Sequence, residues 1–178
     1  MLRRATPEDA ERLAALHVAA WRETYAGLLP ESVLAAQSVA ARAAMWTEIL
    51  GNPTAETSAW LVENGATPAG FGACGRQRDA GLSAAGFEAE IGALYLLRAH
   101  QGRGLGRALM QAMAAEMRAR GHTTIALWVL RENTTARAFY RHLGGEEVAE
   151  KQDRRGTATL TELAYGWRDL SPLLAAAP

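Results

Sequence analysis

The chain has 178 residues, 49% of them hydrophobic, enough for one domain that buries about 70% of the surface its unfolded chain would expose. Its nineteen basic and nineteen acidic residues cancel, so net charge points to neither a nucleic acid nor an anionic membrane as the main partner. A single cysteine, Cys74, excludes an internal disulfide, and no apolar run reaches the roughly 20 residues that span a bilayer, so the cytoplasm is the expected compartment.

Leu2 to Ala5 reads as a short edge strand, and Thr6-Pro7-Glu8-Asp9 follows with a helix cap, a proline for the first turn and two acids. Leu13, Leu16 and Ala20 recur at helical spacing, and Gly27 ahead of Pro30 closes this helix near Tyr25. A second helical region spans about Pro30 to Leu50 with a break near Ser38, its apolar members being Val33, Leu34, Val39, Met45, Trp46 and Ile49. Ala59 to Glu63 alternates like a half-buried strand, Asn64-Gly65 signals a hairpin, and Ala69 to Gly75 returns. Asp79 to Gly86 is small and polar, and reads as a loop. Glu88 to Leu97 resumes the sheet.

After that strand comes Gln101-Gly102-Arg103-Gly104-Leu105-Gly106-Arg107, then a helix to about Arg120 whose Leu105, Leu109, Met113 and Met117 share one face. Three glycines therefore stand where a helix exposes unpaired N–H groups. Without Cβ atoms the backbone can press those donors against a phosphate, with Arg103 and Arg107 adding charge; a packing turn is the competing reading. A dinucleotide fingerprint counted from Gly102 would need glycine where Arg107 stands, and no P-loop ending occurs. Thr124 to Leu130 completes a strand-helix-strand unit with parallel strands. Thr134 or Thr135 is positioned to cap a further helix with Ala138, Phe139 and Leu143, stopped by Gly144-Gly145. Val148 to Gln152 and Thr159 to Tyr165 form a closing hairpin around Asp153 to Gly156, and residues 171–178 read as a loose tail after a domain over residues 1–170. His17, His100, His122 and His142 are scattered, so no metal site is expected.

Gln101-x-x-Gly104-x-Gly106, with Leu94-Tyr95-Leu96-Leu97 before it, resembles the acyl-CoA pyrophosphate loop of the GNAT N-acetyltransferase superfamily. Asn133 and the Ala136-Arg137-Ala138-Phe139-Tyr140 helix extend the resemblance to about Leu2 through Trp167. The fold it implies is α/β of the α+β type. It has a mixed central sheet of six to seven strands, four or five helices, and a central β-α-β unit forming the acyl-CoA cleft. The activity it implies is transfer of an acetyl group from acetyl-CoA to a primary amine by direct attack. Such transfer needs a free amine, a polarised carbonyl and a neutralised thiolate. A non-catalytic acyl-CoA-binding or regulatory module is the alternative.

By the same resemblance, Leu94, Tyr95 and Leu96 would pair with the pantetheine arm of CoA. Gln101, Gly102, Arg103, Gly104, Leu105, Gly106 and Arg107 would hold its pyrophosphate, while Asn133, Ala136 and Tyr140 would line the arm. Asn133 reads equally as a helix cap. Glu90 is the candidate base, although it also alternates with Glu88 as a solvent-facing residue would, and Glu162 is a second contender. Tyr140 is the candidate acid, with a core aromatic as its other reading. Trp21 and Tyr25, with Trp46, are candidates for the acceptor site or for plain core packing. Cys74 reads as a buried hydrophobe. A homodimer through a helix face or the closing strands is left open.

Overall fold

The computed structural model describes residues 1–52, 56–65, 67–155 and 158–175. Seven strands form one mixed sheet: β1 (Leu2–Arg4), β2 (Ser58–Asn64), β3 (Thr67–Arg76), β4 (Ala89–Leu96), β5 (Ile125–Leu130), β6 (Glu146–Arg155) and β7 (Ala158–Trp167), in the order β1-β2-β3-β4-β5-β7-β6. Strands β1, β2 and β3 run antiparallel, β4 and β5 are parallel neighbours, and β7 pairs antiparallel with both β5 and β6. The described helices are α1 (Ala10–Tyr25), α2 (Glu31–Ala35), α3 (Val39–Gly51), α4 (Ala80–Ala84), α5 (Leu105–Ala119), α6 (Thr134–His142) and α7 (Ser171–Leu174). This is the expected α/β architecture with its β4-α5-β5 unit.

Five local expectations change. Among the described residues seven α-helices replace four or five, because α2, α4 and α7 are single turns too short to show a helical period. The expected loop from Asp79 holds α4, since the Asp79 carboxylate accepts from the N–H groups of Gly81 and Leu82 and so caps a turn. Asn133, not Thr134 or Thr135, caps α6: its Oδ1 accepts from the Ala136 N–H at 3.2 Å. The expected loose tail begins with α7, which buries Leu173; residues 176–178 lie outside the described residues, as does Gly156 of the closing turn. Val39, expected on an apolar face, is exposed at the first position of α3.

The chain divides into two compact units, Met1–Cys74 with Ala93–Met113, and Gly75–Gly92 with Ala114–Pro178. In the first, Leu13, Ala14 and Leu16 of α1 and Trp46 of α3 pack with Leu61, Phe71 and Ala73 of the antiparallel strands. The apolar face predicted for α5 is buried at Leu109 and Met113, and the thiol of Cys74 is buried, its Sγ 4.0 Å from the Met113 carbonyl. In the second unit, Leu82 and Phe87 pack with Ala126 of β5 and Ala164 of β7, and the Trp167 indole donates to the Leu143 carbonyl at 2.9 Å. Met117, the last member of that α5 face, is also buried.

The start of α1 is pinned by charge. Arg3 donates through both terminal nitrogens to the two Asp9 oxygens, each at 2.7 Å, and Asp9 also accepts from the Thr6 N–H at 2.9 Å. Glu63 of β2 receives Arg3 and Arg12 at 3.3 and 2.7 Å. The Arg3 bond, opposed by burial, holds the Asp9 carboxyl well below the usual carboxylate range. A folded-state pKa depressed in this way contributes stability that is present above the unfolded carboxyl pKa of about 4 and is lost as pH falls toward the folded value. Asp9→Asn should therefore be less stable than the parent at pH 7 by about 1.5–3 kcal/mol, the usual size of a hydrogen bond to a charged group. The gap should narrow on acidification. Urea midpoints measured from pH 7 down to pH 3 check this, and a gap that stays constant across that range contradicts it.

Candidate functional site

Strand β4 carries the chain into the glycine loop. Gly70 of β3 lets its end lie close, since a Cβ there would sit 2.2 Å from Leu96 Cδ2 and 2.6 Å from the Tyr95 carbonyl oxygen. Leu94, Tyr95 and Leu96 are half-buried although β4 is fourth of seven strands. A 3-10 turn at Arg98–His100 follows, and then the loop, exposed from Gln101 to Gly104.

Gly102 and Gly104 adopt φ of 71° and 75°, the left-handed region that glycine enters freely. The first bond into α5 runs from the Ala108 N–H to the Gly104 carbonyl at 3.0 Å. The N–H groups of Leu105, Gly106 and Arg107 precede it and have no carbonyl one helical turn back. Donors at the positive end of a 15-residue helix, beneath an exposed loop, can bind an anion.

Two side chains hold this loop in place. The Gln101 amide donates back to the Leu96 carbonyl at 3.2 Å, tying the loop to the end of β4. Glu23 of α1 accepts from the Arg98 N–H at 2.6 Å, and the Arg98 guanidinium donates to the Glu23 carbonyl at 3.0 Å. Sequence reasoning missed this second clasp, because 75 residues separate its partners.

Beside it stands an aromatic wall. Trp21 is buried with its ring 4.9 Å from that of Tyr25, and the Tyr25 hydroxyl lies 3.3 Å from the Tyr95 hydroxyl. Trp46 is a core residue whose indole donates to His17 Nδ1 at 3.3 Å. His17, which the sequence did not mark, packs against Phe71 and Tyr95 at 4.9 and 5.6 Å. Burial, aided by the charge of Arg42, pushes its pKa down to about 4, so the imidazole is neutral near pH 7.

The remaining candidates lie in the second unit. Glu90 is half-buried on β4 and paired with Arg78: one oxygen takes the guanidinium and the other accepts from the Arg78 N–H at 3.1 Å. Oε1 takes both Nε and Nη2 of Arg78, whereas Oε2, which accepts from the Arg78 N–H, has a further lone pair with which to accept from a water. Glu162 is buried on β7, 3.7 Å from the Lys151 ammonium. Tyr140 is buried on α6, its ring 5.5 Å from Phe139, 6.0 Å from Tyr165 and 6.3 Å from Trp167. Asn133 and Ala136 are joined by the α6 cap. Among the described residues, no cluster of three or more His, Cys, Asp or Glu could hold a metal, and no helix is long and apolar enough to cross a membrane.

The acetyltransferase (GNAT) family model matches residues 10–144. The uncharacterized N-acetyltransferase YuaI of Bacillus subtilis (strain 168) is 30% identical over 174 residues, which is 97% of this chain and 95% of that one. Among solved structures, Salmonella typhimurium yncA with its cofactor acetyl-CoA superposes with a TM-score of 0.70 at 18% identity, over 100% of this chain and 96% of that one. The PaiA N-acetyltransferase of Thermoplasma acidophilum, in complex with coenzyme A, gives 0.68 at 21% identity over 91% and 96%.

Proposed function

The chain belongs to the acetyltransferase (GNAT) family, and from that premise we propose that it moves an acetyl group from acetyl-CoA to a primary amine by direct attack of the amine on the thioester. The observation that carries this reading is the anion cradle: three helix-start N–H groups with no carbonyl one turn back, under an exposed loop with left-handed glycines. Its chemistry fits a pyrophosphate, and Arg103 and Arg107 add charge on the same loop. The half-buried end of β4 supports pantetheine pairing at Leu94, Tyr95 and Leu96. When bound, acetyl-CoA supplies an activated acyl group on a thiolate leaving group.

In this reading the protein's own groups divide the work. Gln101 keeps the loop against β4, and the N–H groups of Leu105 to Arg107 hold the pyrophosphate. Asn133 spends Oδ1 on the α6 cap and keeps its amide nitrogen for the CoA arm. Trp21 and Tyr25 wall the acceptor. Glu90 takes the amine's proton through a water on Oε2, since Arg78 occupies Oε1 with two nitrogens and one position on Oε2. Tyr140 donates its phenolic proton as the thiolate departs. The reaction needs no metal, and the protein works in the cytoplasm. Thiol release from acetyl-CoA across a panel of primary amines tests the whole; tight CoA binding with no release on any amine would leave a binding module instead.

Three substitutions separate the parts. A Cβ on Gly104 would meet no atom within 4 Å, so Gly104→Val should fold. Its φ of 75° is strained for valine, so the loop must rearrange and CoA affinity by calorimetry should fall tenfold or more. Unchanged affinity would make the loop a packing turn. Tyr140→Phe should preserve CoA affinity and lower kcat about 10²-fold, with loss of the alkaline limb of the rate profile. A full rate with that limb intact would return Tyr140 to the core. Glu90→Gln should slow turnover most at the acidic end of the profile, where little amine is free. If its profile parallels the parent's at every pH, the base lies elsewhere.

A further inference from the structure

Arg22 of α1 and Arg42 of α3 converge on a single residue between their helices. The Arg22 guanidinium donates to the main-chain carbonyl of Gln37 at 3.0 Å, and the Arg42 guanidinium donates to the Gln37 side-chain oxygen, also at 3.0 Å. The one other acceptor either guanidinium finds among the described residues is the Met45 thioether, 3.6 Å from Arg42. Among the described residues neither is paired with a carboxylate. Arg3, Arg12, Arg78, Arg120, Arg131, Arg137 and Arg141 each have an acidic partner, whereas the guanidiniums of Arg98 and Arg168 donate singly to main-chain carbonyls; Arg22 and Arg42 differ from both groups in converging on one residue. The nearest acid in sequence, Glu23, is committed to the Arg98 N–H. Two like charges are thus gathered on the two oxygens of one neutral amide residue with no counter-ion among the described residues, an arrangement that favours an anion from outside.

The place of the pair says which anion. Arg42 is half-buried and close enough to act on the buried imidazole of His17, whose ring packs on Tyr95. Arg22 follows Trp21 on α1, one turn before the end of the helix at Tyr25. A ligand here meets the half-buried rings of Tyr25 and Tyr95, which the buried Trp21 backs, and the planar donor forks of Arg42 and Arg22. A guanidinium matches a carboxylate with two parallel N–H bonds.

We propose that the acceptor is a small amine that also carries a carboxylate, namely an α-amino acid with an aromatic side chain. Its carboxylate docks on Arg42 and Arg22, and its side chain lies on the Tyr25 and Tyr95 rings, with Trp21 behind them. This rests on the acetyl-transfer reading above and narrows its substrate. A polyamine, which would bring further positive charge to the same pair, is disfavoured.

The test compares each amino acid with the amine left when its carboxylate is removed: phenylalanine with 2-phenylethylamine, and tryptophan with tryptamine. Thiol release should give a kcat/KM at least tenfold higher for the acid of each pair. Arg42→Gln should bring that ratio to near one, and Arg42→Lys, which keeps the charge and loses the fork, should fall between. Amines turned over as well as their acids by the parent protein would overturn the proposal without any variant. So would a ratio that survives in both Arg42→Gln and Arg22→Gln, which would leave the pair as a clamp on the α2–α3 connection. Calorimetry on CoA-loaded protein keeps this distinct from failure of the transfer reading. Phenylalanine binding that is absent for 2-phenylethylamine and lost in Arg42→Gln, with no thiol release, supports the anion site and sinks the transfer. Absence of both release and binding for the acids sinks the substrate assignment.

Discussion

The rest of the structure depends on backbone N–H groups at the start of α5 that no carbonyl or side chain among the described residues satisfies. A helix begins with donors that find no carbonyl one turn back, and most proteins cap them with a side chain. Here the preceding residues are Gly102, Arg103 and Gly104, and the two glycines take left-handed φ. None of the three offers a side-chain acceptor. The surrounding contacts keep that turn where it is. Gly70 admits the end of β4, Gln101 ties the loop back to Leu96, and Glu23 takes the Arg98 N–H. A loop ordered by its own protein before any ligand arrives loses less entropy when the ligand binds.

The parts of this arrangement that were legible in the sequence are those written in local pattern. Glycines 102, 104 and 106 between a strand and a four-residue repeat of Leu and Met located the loop and α5 within a residue or two. Ser38 at the break between α2 and α3 is a cap, its hydroxyl accepting from the Ala41 N–H. What stayed illegible falls into two kinds. Single-turn helices carry too few residues for a period, so α4 hid inside an apparent loop even though Asp79 was there to cap it. Contacts between residues far apart in the chain leave no local mark. Neither the Glu23 clasp on Arg98 nor the bond from Trp46 to His17, 29 residues away, could be read from spacing.

Asn133 shows how one residue type can satisfy two readings. Its side chain was marked both as a ligand to the CoA arm and as a cap, and the fold uses Oδ1 for the cap. An amide has a donor end as well as an acceptor end, so capping α6 orients the NH₂ group instead of consuming it. Glu90 is similar. Its alternation with Glu88 suggested a solvent face, yet Arg78 holds it from both the main chain and the side chain. A carboxylate fixed on two sides is a more directed acceptor than a free one, whatever proton it finally handles.

The same reasoning separates affinity from choice at the aromatic wall. Rings such as Trp21, Tyr25 and Tyr95 bury area against almost any flat or aliphatic body, and one methylene more or less changes little. Discrimination of a higher order comes from polar groups that lose a partner when the wrong molecule binds. His17 cannot serve, because burial keeps it neutral and its Nδ1 already accepts from Trp46. The paired phenols of Tyr25 and Tyr95 already have one another. Arg22 and Arg42 differ from both, since their charge is permanent and their acceptors are neutral. A pocket built in this way would bind many amines through its rings and distinguish them by charge.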